Sequence, residues 1–443
     1  MELSIRKFEI FGLYEERNVS IDFDSNTKII VAENGYGKTT VLNAFYSVLA
    51  GDLDRLRKMP FSKIAVTFNE GEPIELTKES LSFDLSKARN SGVYHHLRSN
   101  LSEQTVYTLI QLSLTLNWSD LRKLPIYIQS LKKLDASPNN LRHWLKMLVV
   151  DLGDNMPDMD GVKDVFSRIK SEFSLNLLYL PTYRRVEEDL QTLGMNDDIE
   201  IKDDHQINFG MSDVRRRIKT ITSEILSSSV EWFSIVNGEM IAQLVEGFKV
   251  DEEMYISVSN LDAIKIVLDR IGENIPARNK EQIIELVNTG KILEGHDDLV
   301  YFLANLVKVY EQQKDNDSAI QEFTNVCNEY LVDKKIQYNE SNVTISVVRV
   351  KNNKPVDWEN LSSGEKQIVS LFARLYLDRS EDLAIFFDEP ELSLSIEWQR
   401  KLLPHILNSK KCKFLFCTTH SPFIFDNELD SSASDLAVYV EEL

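Results

Sequence analysis

Two fragments at opposite ends of the sequence read as the halves of one phosphate-binding site, and that separation constrains the fold more than any other feature. The first is Ala32-Glu33-Asn34-Gly35-Tyr36-Gly37-Lys38-Thr39-Thr40. The second begins at Leu361-Ser362-Ser363-Gly364-Glu365, runs through Phe386-Phe387-Asp388-Glu389-Pro390 and closes at Thr418-Thr419-His420-Ser421. A chain that divides a site this widely has inserted something between the halves.

A loop that binds polyphosphate needs small residues, so that consecutive backbone N–H groups turn inward, and a helix N-terminus aimed at the anion. Asn34, Gly35, Gly37, Lys38, Thr39 and Thr40 supply this at P-loop spacing. They follow an apolar strand at 28–31 and lead into a helix over 40–50 that Gly51 ends. Lys38 is expected to reach the β- and γ-phosphates of ATP, Thr39 to place its hydroxyl on Mg²⁺, and Thr40 to contact the α-phosphate. Ala32 stands where the GxxxxGK[ST] pattern has its first glycine, which alanine tolerates only at negative φ.

Downstream, the apolar run 382–387 reads as a buried strand delivering Asp388 and Glu389 at its C-terminal end. Asp388 is expected to hold Mg²⁺ through water, and Glu389 to orient or deprotonate the attacking water. A surface acidic pair after a core strand is the alternative. It does not account for the second apolar strand, 413–419, which ends at His420, read here as a γ-phosphate sensor. Residues 361–367 open a helical pattern continued by Ile368, Leu371, Phe372 and Leu375. Ser362 and Glu365 have capping-box spacing, and a Ser/Gly-rich helix start is itself an anion site.

The net charge of −20 argues against a chain that holds DNA mainly through phosphate contacts, for which a basic balance is the rule. Local basic clusters remain at Arg55, Arg57 and Lys58, at Arg184 and Arg185, and at Arg215, Arg216, Arg217 and Lys219. Each also reads as a solvated helix face or a set of structural ion pairs. No run of about 18 apolar residues predicts a membrane span. The first residues resemble neither a signal nor a transit peptide, and Cys327, Cys412 and Cys417 form no CxxC pair. A cytoplasmic chain without zinc or a disulfide framework is the expectation.

The expected fold is α/β: an ATPase head with a large, mainly helical insertion. Its divisions are an N-terminal head lobe (1–80), a helical insertion (81–172), a head-linked strand and loop (173–205), a helical recognition or assembly subdomain (206–337) and a C-terminal head lobe (338–443). Gly238, Gly247, Gly272, Gly290, Gly295 and Pro276 interrupt the helical pattern of the fourth segment. They predict a compact subdomain in place of a long coiled coil, which needs unbroken heptads.

These motifs together resemble the ABC-type ATPase head shared by SMC-like repair proteins, OLD-type ATPases and related phage-defence ATPases. Lys38 matches the Walker A lysine, Leu361-Ser362-Ser363-Gly364-Glu365 the signature, Asp388 and Glu389 the Walker B pair, and His420 the switch histidine. Residues 388–394 and 418–423 are similar to the OLD-type branch, which usually has histidine where Ser395 stands; the usual signature has glycine in place of Ser363. The resemblance implies a head-to-tail homodimer in which Ser362 and Gly364 act on ATP held by the partner's Lys38, with a larger assembly such as a hexamer left open. The absence of a hook, of long heptads, of a TOPRIM domain after His420 and of a membrane partner points to stand-alone defence ATPases. The stretch 179–190 is similar to the AriA family, the ATPases of the PARIS anti-phage system, whose partner is a TOPRIM nuclease. The PtuA family of Septu, partnered by an HNH nuclease, is the alternative. The function implied is a sensor that recognises a phage trigger protein, a DNA mimic being one candidate, and controls a separate effector nuclease. Two other readings stay open: a DNA-maintenance ATPase clamping nucleic acid directly, and a nucleotide-dependent scaffold with little turnover.

Overall fold

A computed structural model describes residues 4–33, 35–69, 71–81, 88–115, 117–152, 159–181, 211–378 and 381–443. In chain order the elements begin β1 Lys7–Leu13, β2 Arg17–Asp22, β3 Thr27–Val31, α1 Lys38–Ala50, α2 Leu53–Lys58, β4 Lys63–Thr67, β5 Ile74–Thr77 and α3 Lys78–Leu81. A helical stretch follows: α4 Gly92–Arg98, α5 Glu103–Thr115, α6 Trp118–Leu121, α7 Pro125–Leu134, α8 Pro138–Leu152 and α9 Met159–Glu172, then β6 Asn176–Leu180. The middle of the chain gives α10 Met211–Glu246, α11 Glu252–Val258, α12 Leu261–Arg270, α13 Ala277–Asn288 and α14 Asp297–Asn328. Next come β7 Lys334–Asn339, β8 Thr344–Arg349, β9 Pro355–Val356, α15 Ser363–Leu377, β10 Leu383–Asp388, α16 Ile396–Asn408, β11 Cys412–Thr419, β12 Ala433–Asp435 and β13 Val440–Glu442. The architecture is mixed α/β with many inserted helices.

The chain divides into two compact units. The first comprises Met1–Tyr179, Leu383–Glu389 and Lys413–Leu443, and holds two five-stranded sheets. One, in the order β13-β2-β1-β4-β5, is antiparallel at every pairing recorded. The other runs β12-β3-β11-β10-β6, with β3 parallel to both β11 and β12. The register Thr418↔Ile30 and Thr419↔Val31 brings the C-terminal ends of β3 and β11 to one edge. That edge is where an open α/β sheet offers its loops to a ligand.

Aromatic packing fixes α1 against this sheet. Phe45 stacks on Phe8 at 4.3 Å and meets Phe416 edge-on at 5.1 Å and Phe386 at 5.3 Å. Such pairs are worth about 0.5–1.5 kcal/mol each beyond their burial. One side chain of α1 therefore ties the helix to β1, β10 and β11 at once, and the start of α1 is held rigidly beside the strand ends. The helices α4 to α8 bury their own core around Leu97, Leu109, Tyr127, Leu141 and Leu148. Pro125 and Pro138 each open a helix there, as the missing N–H permits at a first turn.

The second unit comprises Leu180–Asp382 and Pro390–Cys412. Its small sheet, β7-β8-β9, follows the long helix α14. Tyr330, fully buried, packs on Phe372 of α15 and Trp398 of α16, and its hydroxyl meets His405 Nδ1 at 2.7 Å. Gly247, Gly272, Gly290 and Gly295 all sit at positive φ and do interrupt the helices. Gly238 does not: α10 runs through it for 36 residues, a correction to the expected interruption. A single glycine costs a helix only about 1 kcal/mol, which tertiary packing elsewhere along α10 outweighs.

Candidate nucleotide-binding site

The first unit gathers five sequence-predicted residues at one sheet edge: Lys38, Thr39, Asp388, Glu389 and His420. Gly35 and Gly37 lie at φ 92° and 91°, a region side-chain-bearing residues rarely adopt, and nothing lies within 4 Å of where a Cβ would project. The glycines thus serve the turn of the loop and leave its concave side open. Gly37 forms the N-cap of α1 without a side-chain cap, so the first N–H groups of the helix face the loop. Ala32 is not among the positive-φ residues, so alanine meets the condition at that position. Asn34, the remaining loop candidate, lies outside the described residues.

Lys38 is only 4% exposed, and its ammonium donates to the Ala32 carbonyl at 2.5 Å and the Glu33 carbonyl at 3.3 Å. Glu389 Oε1 lies 3.5 Å from the same nitrogen. A buried cation held by two carbonyls and one carboxylate sits where a phosphate oxygen would find it.

Thr39 Oγ1 donates to both oxygens of Asp388, each at 3.1 Å. Thr418 Oγ1 donates to Asp388 Oδ1 at 2.8 Å, and the Glu389 N–H donates to the Thr418 carbonyl at 2.9 Å. Asp388 is therefore a buried carboxylate fixed from both sides by hydroxyls. Hydroxyl and carboxylate oxygens are the hard donors that suit Mg²⁺, which keeps most of its waters and takes one or two protein ligands beside phosphate. Thr39 and Asp388 fit that ion. The closing motif gives no role to Thr418 by itself; its neighbour in space, Asp388, is 30 residues away in sequence, and only strand pairing reveals the contact.

Glu389 has its backbone at φ 52°, an uncommon conformation for a residue with a Cβ. Strain of this kind, on the order of 1–3 kcal/mol, persists where the surroundings over-determine it and clusters at functional sites. Its carboxylate lies between two groups: Lys38 on Oε1, and His420, whose Nδ1 is 2.5 Å from Oε2. His420 is 41% exposed on its side chain, so it reaches solvent at the open side of the site.

A cavity of about 490 Å³ opens beside these groups, bordered by the loop, by Glu389, by Tyr14 and Glu16 of the β1–β2 turn and by Arg17 at the start of β2. Tyr14 OH pairs with Thr40 Oγ1 at 3.3 Å, and Arg17 donates to the Tyr36 carbonyl at 3.3 Å. The turn residues were not singled out from sequence, since their approach to the loop depends on how the two sheets pack.

Ser362 and Gly364 belong to the second unit, at the start of α15. Ser362 is exposed and is the N-cap; both halves of the capping box with Glu365 are present. Glu365 is 6% exposed, accepts from the Ser362 N–H at 2.7 Å, and is gripped by Lys334 of β7 at 3.0 and 3.1 Å. Gly364 is buried, and a Cβ there would meet the Ser393 carbonyl oxygen at 2.5 Å. Packing inside the chain therefore demands glycine at 364, a requirement separate from any contact with nucleotide. Ser395 caps α16 by accepting from the Trp398 N–H at 3.4 Å.

The basic clusters are largely engaged within the chain. Arg57 donates to the Leu81 carbonyl at 2.7 Å, and burial pulls its guanidinium below the usual range. Arg215 meets Asp357 at 2.5 Å, Arg216 meets Asp213 at 2.5 Å, and Arg217 pairs with Asp213 and Asp378. Arg184 and Arg185 lie outside the described residues, as do residues 182–190 of the family-specific stretch.

Residues 263–426 match the family model described as "AAA domain, putative AbiEii toxin, Type IV TA system". The matched span includes the signature, Asp388, Glu389 and His420 and excludes the P-loop. None of the curated proteins matches this chain. Among solved structures, the Smc head domain with an extended coiled coil bound to the C-terminal domain of ScpA, from Pyrococcus furiosus, aligns over 99% of this chain and 96% of that one at 12% identity, with a TM-score of 0.37. The SmcHead bound to the C-winged helix domain of ScpA aligns over 95% and 90% at 11% identity and a TM-score of 0.33. Superpositions this loose carry no weight beside the chain's own geometry. Family match and strand-edge geometry agree on the coarse description: a nucleotide-binding domain of ATPase type. Among the described residues no helix is long and apolar enough to cross a membrane.

Proposed function

We propose that this chain binds and hydrolyses ATP with Mg²⁺ as the sensor of an anti-phage defence system, and that it controls a separately encoded effector nuclease. The observation that carries the ATPase part is the convergence of Lys38, Thr39, Asp388, Glu389 and His420 around one glycine loop. Lys38 and the N–H groups of the loop hold the phosphates. Asp388, fixed by Thr39 and Thr418, holds the metal, which supplies charge neutralisation on the phosphate oxygens. Glu389 takes the proton of the attacking water, with His420 at its other oxygen as sensor of the γ-phosphate. Asn34, Gly35, Gly37 and Thr40 complete the cradle.

Ser362 and Gly364 act in trans on ATP of a partner copy, making the working form a head-to-tail dimer or a larger ring. In the cytoplasm, two head lobes (1–80 and 338–443) carry a helical insertion (81–172), a head-linked strand and loop (173–205) and a helical recognition or assembly subdomain (206–337). The defence role rests on the resemblance of residues 388–394 to the OLD-type branch and of residues 179–190 to the PARIS-type ATPases, with Septu-type as the alternative, and a TOPRIM or HNH nuclease follows from that choice. Intramolecular engagement of Arg57, Arg215, Arg216 and Arg217 weighs against the direct DNA clamp.

The test is co-expression with the genes that neighbour it, followed by phage challenge and affinity purification. Protection that is lost in Lys38→Ala, with a nuclease co-purifying, is the expected result. Protection independent of Lys38, or tight binding of duplex DNA at physiological salt without a nuclease, contradicts it.

A further inference from the structure

We infer that the second unit contains a binding site for a small, neutral, largely apolar molecule, distinct from the nucleotide site. A cavity of about 220 Å³ lies among α10, α12, α14 and the β7–β8 turn. Its walls are apolar, chiefly Leu226, Val236, Val267, Leu306 and Val309. Cavities of about 150 Å³ lined by such side chains stay dry and take up benzene, so this one has room for a bicyclic body.

One end is polar. Arg270 stacks over the Tyr310 ring at 5.3 Å and donates to Gln313 Oε1 at 2.8 Å. Its Nη2 grips both oxygens of Asp317, at 2.9 and 2.7 Å, and its Nε donates to the Glu340 carbonyl at 3.0 Å. Asp317 is 2% exposed and also accepts from Tyr338 OH. The guanidinium charge is thus cancelled by a buried carboxylate. A second anion here would leave one negative charge uncompensated, which burial makes costly. The site therefore selects an uncharged acceptor. Tyr310 lines the cavity, its hydroxyl makes no hydrogen bond among the described residues, and we assign it as the donor to that acceptor.

A second observation marks the same place. Val343, which lines the cavity from the β7–β8 turn, is 5% exposed with φ 49°. A β-branched residue in the left-handed region is a genuine outlier. Backbone strain of this kind collects at ligand clamps, where surrounding structure holds it.

The probes are 2-naphthol, neutral at pH 7, and 2-naphthoate, its anionic counterpart, titrated against the full chain by fluorescence. Saturable one-to-one binding of 2-naphthol is expected, with 2-naphthoate at least about tenfold weaker, as one uncompensated buried charge requires. Leu226→Trp, at a rim position that is 50% exposed, should weaken naphthol at least about tenfold without disturbing the core. Val309→Ala, which enlarges the cavity, should keep binding; it guards against reading a folding defect as a blocked site. No saturable naphthol binding, equal binding by Leu226→Trp, or tighter binding of naphthoate overturns the inference. ATP binding by Lys38 is measured on the same samples, so failure of the nucleotide site is told apart from failure of this one.

Discussion

Gly364 and Glu389 show what single residues do here, and why sequence reveals one role more readily than another. The position of Glu389 at the end of a buried strand was legible, because the apolar run before it marks that strand; its strained backbone at φ 52° was not, since it depends on the turn that follows. Ala32 was legible as a departure, and its tolerance follows from a φ that is not positive. Gly364 was read for the anion alone, whereas the Ser393 carbonyl oxygen, 2.5 Å from a would-be Cβ, gives it a packing duty. Gly364→Ala should therefore lower stability by about 1–3 kcal/mol through overpacking. Thermal unfolding of the ATP-free protein checks this. An unchanged melting temperature would remove the packing role, and loss of activity alone cannot be read as a lost ATP contact.

Elements were legible where their pattern is local. The strands at 28–31, 382–387 and 413–419 and the capping box of α15 came from periodicity and spacing, and the structure places them within a residue or two. What braces α15 was not legible. Arg215 reaches Asp357 ahead of that helix, Arg217 reaches Asp378 at its C-cap, and Lys334 grips Glu365 in its first turn. These partners lie far apart in sequence, so the arginine cluster looked equally like a surface for a partner. The continuity of α10 through Gly238 was missed for a related reason: local propensity yields to packing along a 36-residue helix. Because Gly238 is exposed with nothing within 4 Å of a would-be Cβ, Gly238→Ala should stabilise the chain by about 0.5–1 kcal/mol. A rise in urea midpoint with unchanged slope is the expected readout; a fall would mean that α10 is kinked or gripped at that point.

At the scale of the whole molecule, the widely split site sets the question of which copy supplies which half. Lys38 and the carboxylates lie in one unit, Ser362 and Gly364 in the other. If the signature acts in trans, Lys38→Ala and Ser362→Arg are each inactive alone, but an equimolar mixture regains ATP turnover. A mixed dimer then holds one site with an intact loop and an intact signature. A mixture as inactive as its components would place the signature in cis or outside the reaction. The net charge of −20, with Arg215 and Arg217 of α10 already ion-paired within the chain, weighs against holding duplex phosphates by charge.

The most direct measurement compares ATP binding with single-turnover hydrolysis in the wild type, Lys38→Ala and Glu389→Gln. Lys38→Ala should lose binding, because it removes the buried ammonium that the Ala32 and Glu33 carbonyls and Glu389 hold at the loop. Glu389→Gln should bind ATP and Mg²⁺ as the wild type does while hydrolysing it about 10²–10⁴-fold more slowly, as loss of a general base requires. Wild-type hydrolysis by Glu389→Gln, or undiminished ATP binding by Lys38→Ala, would contradict the site.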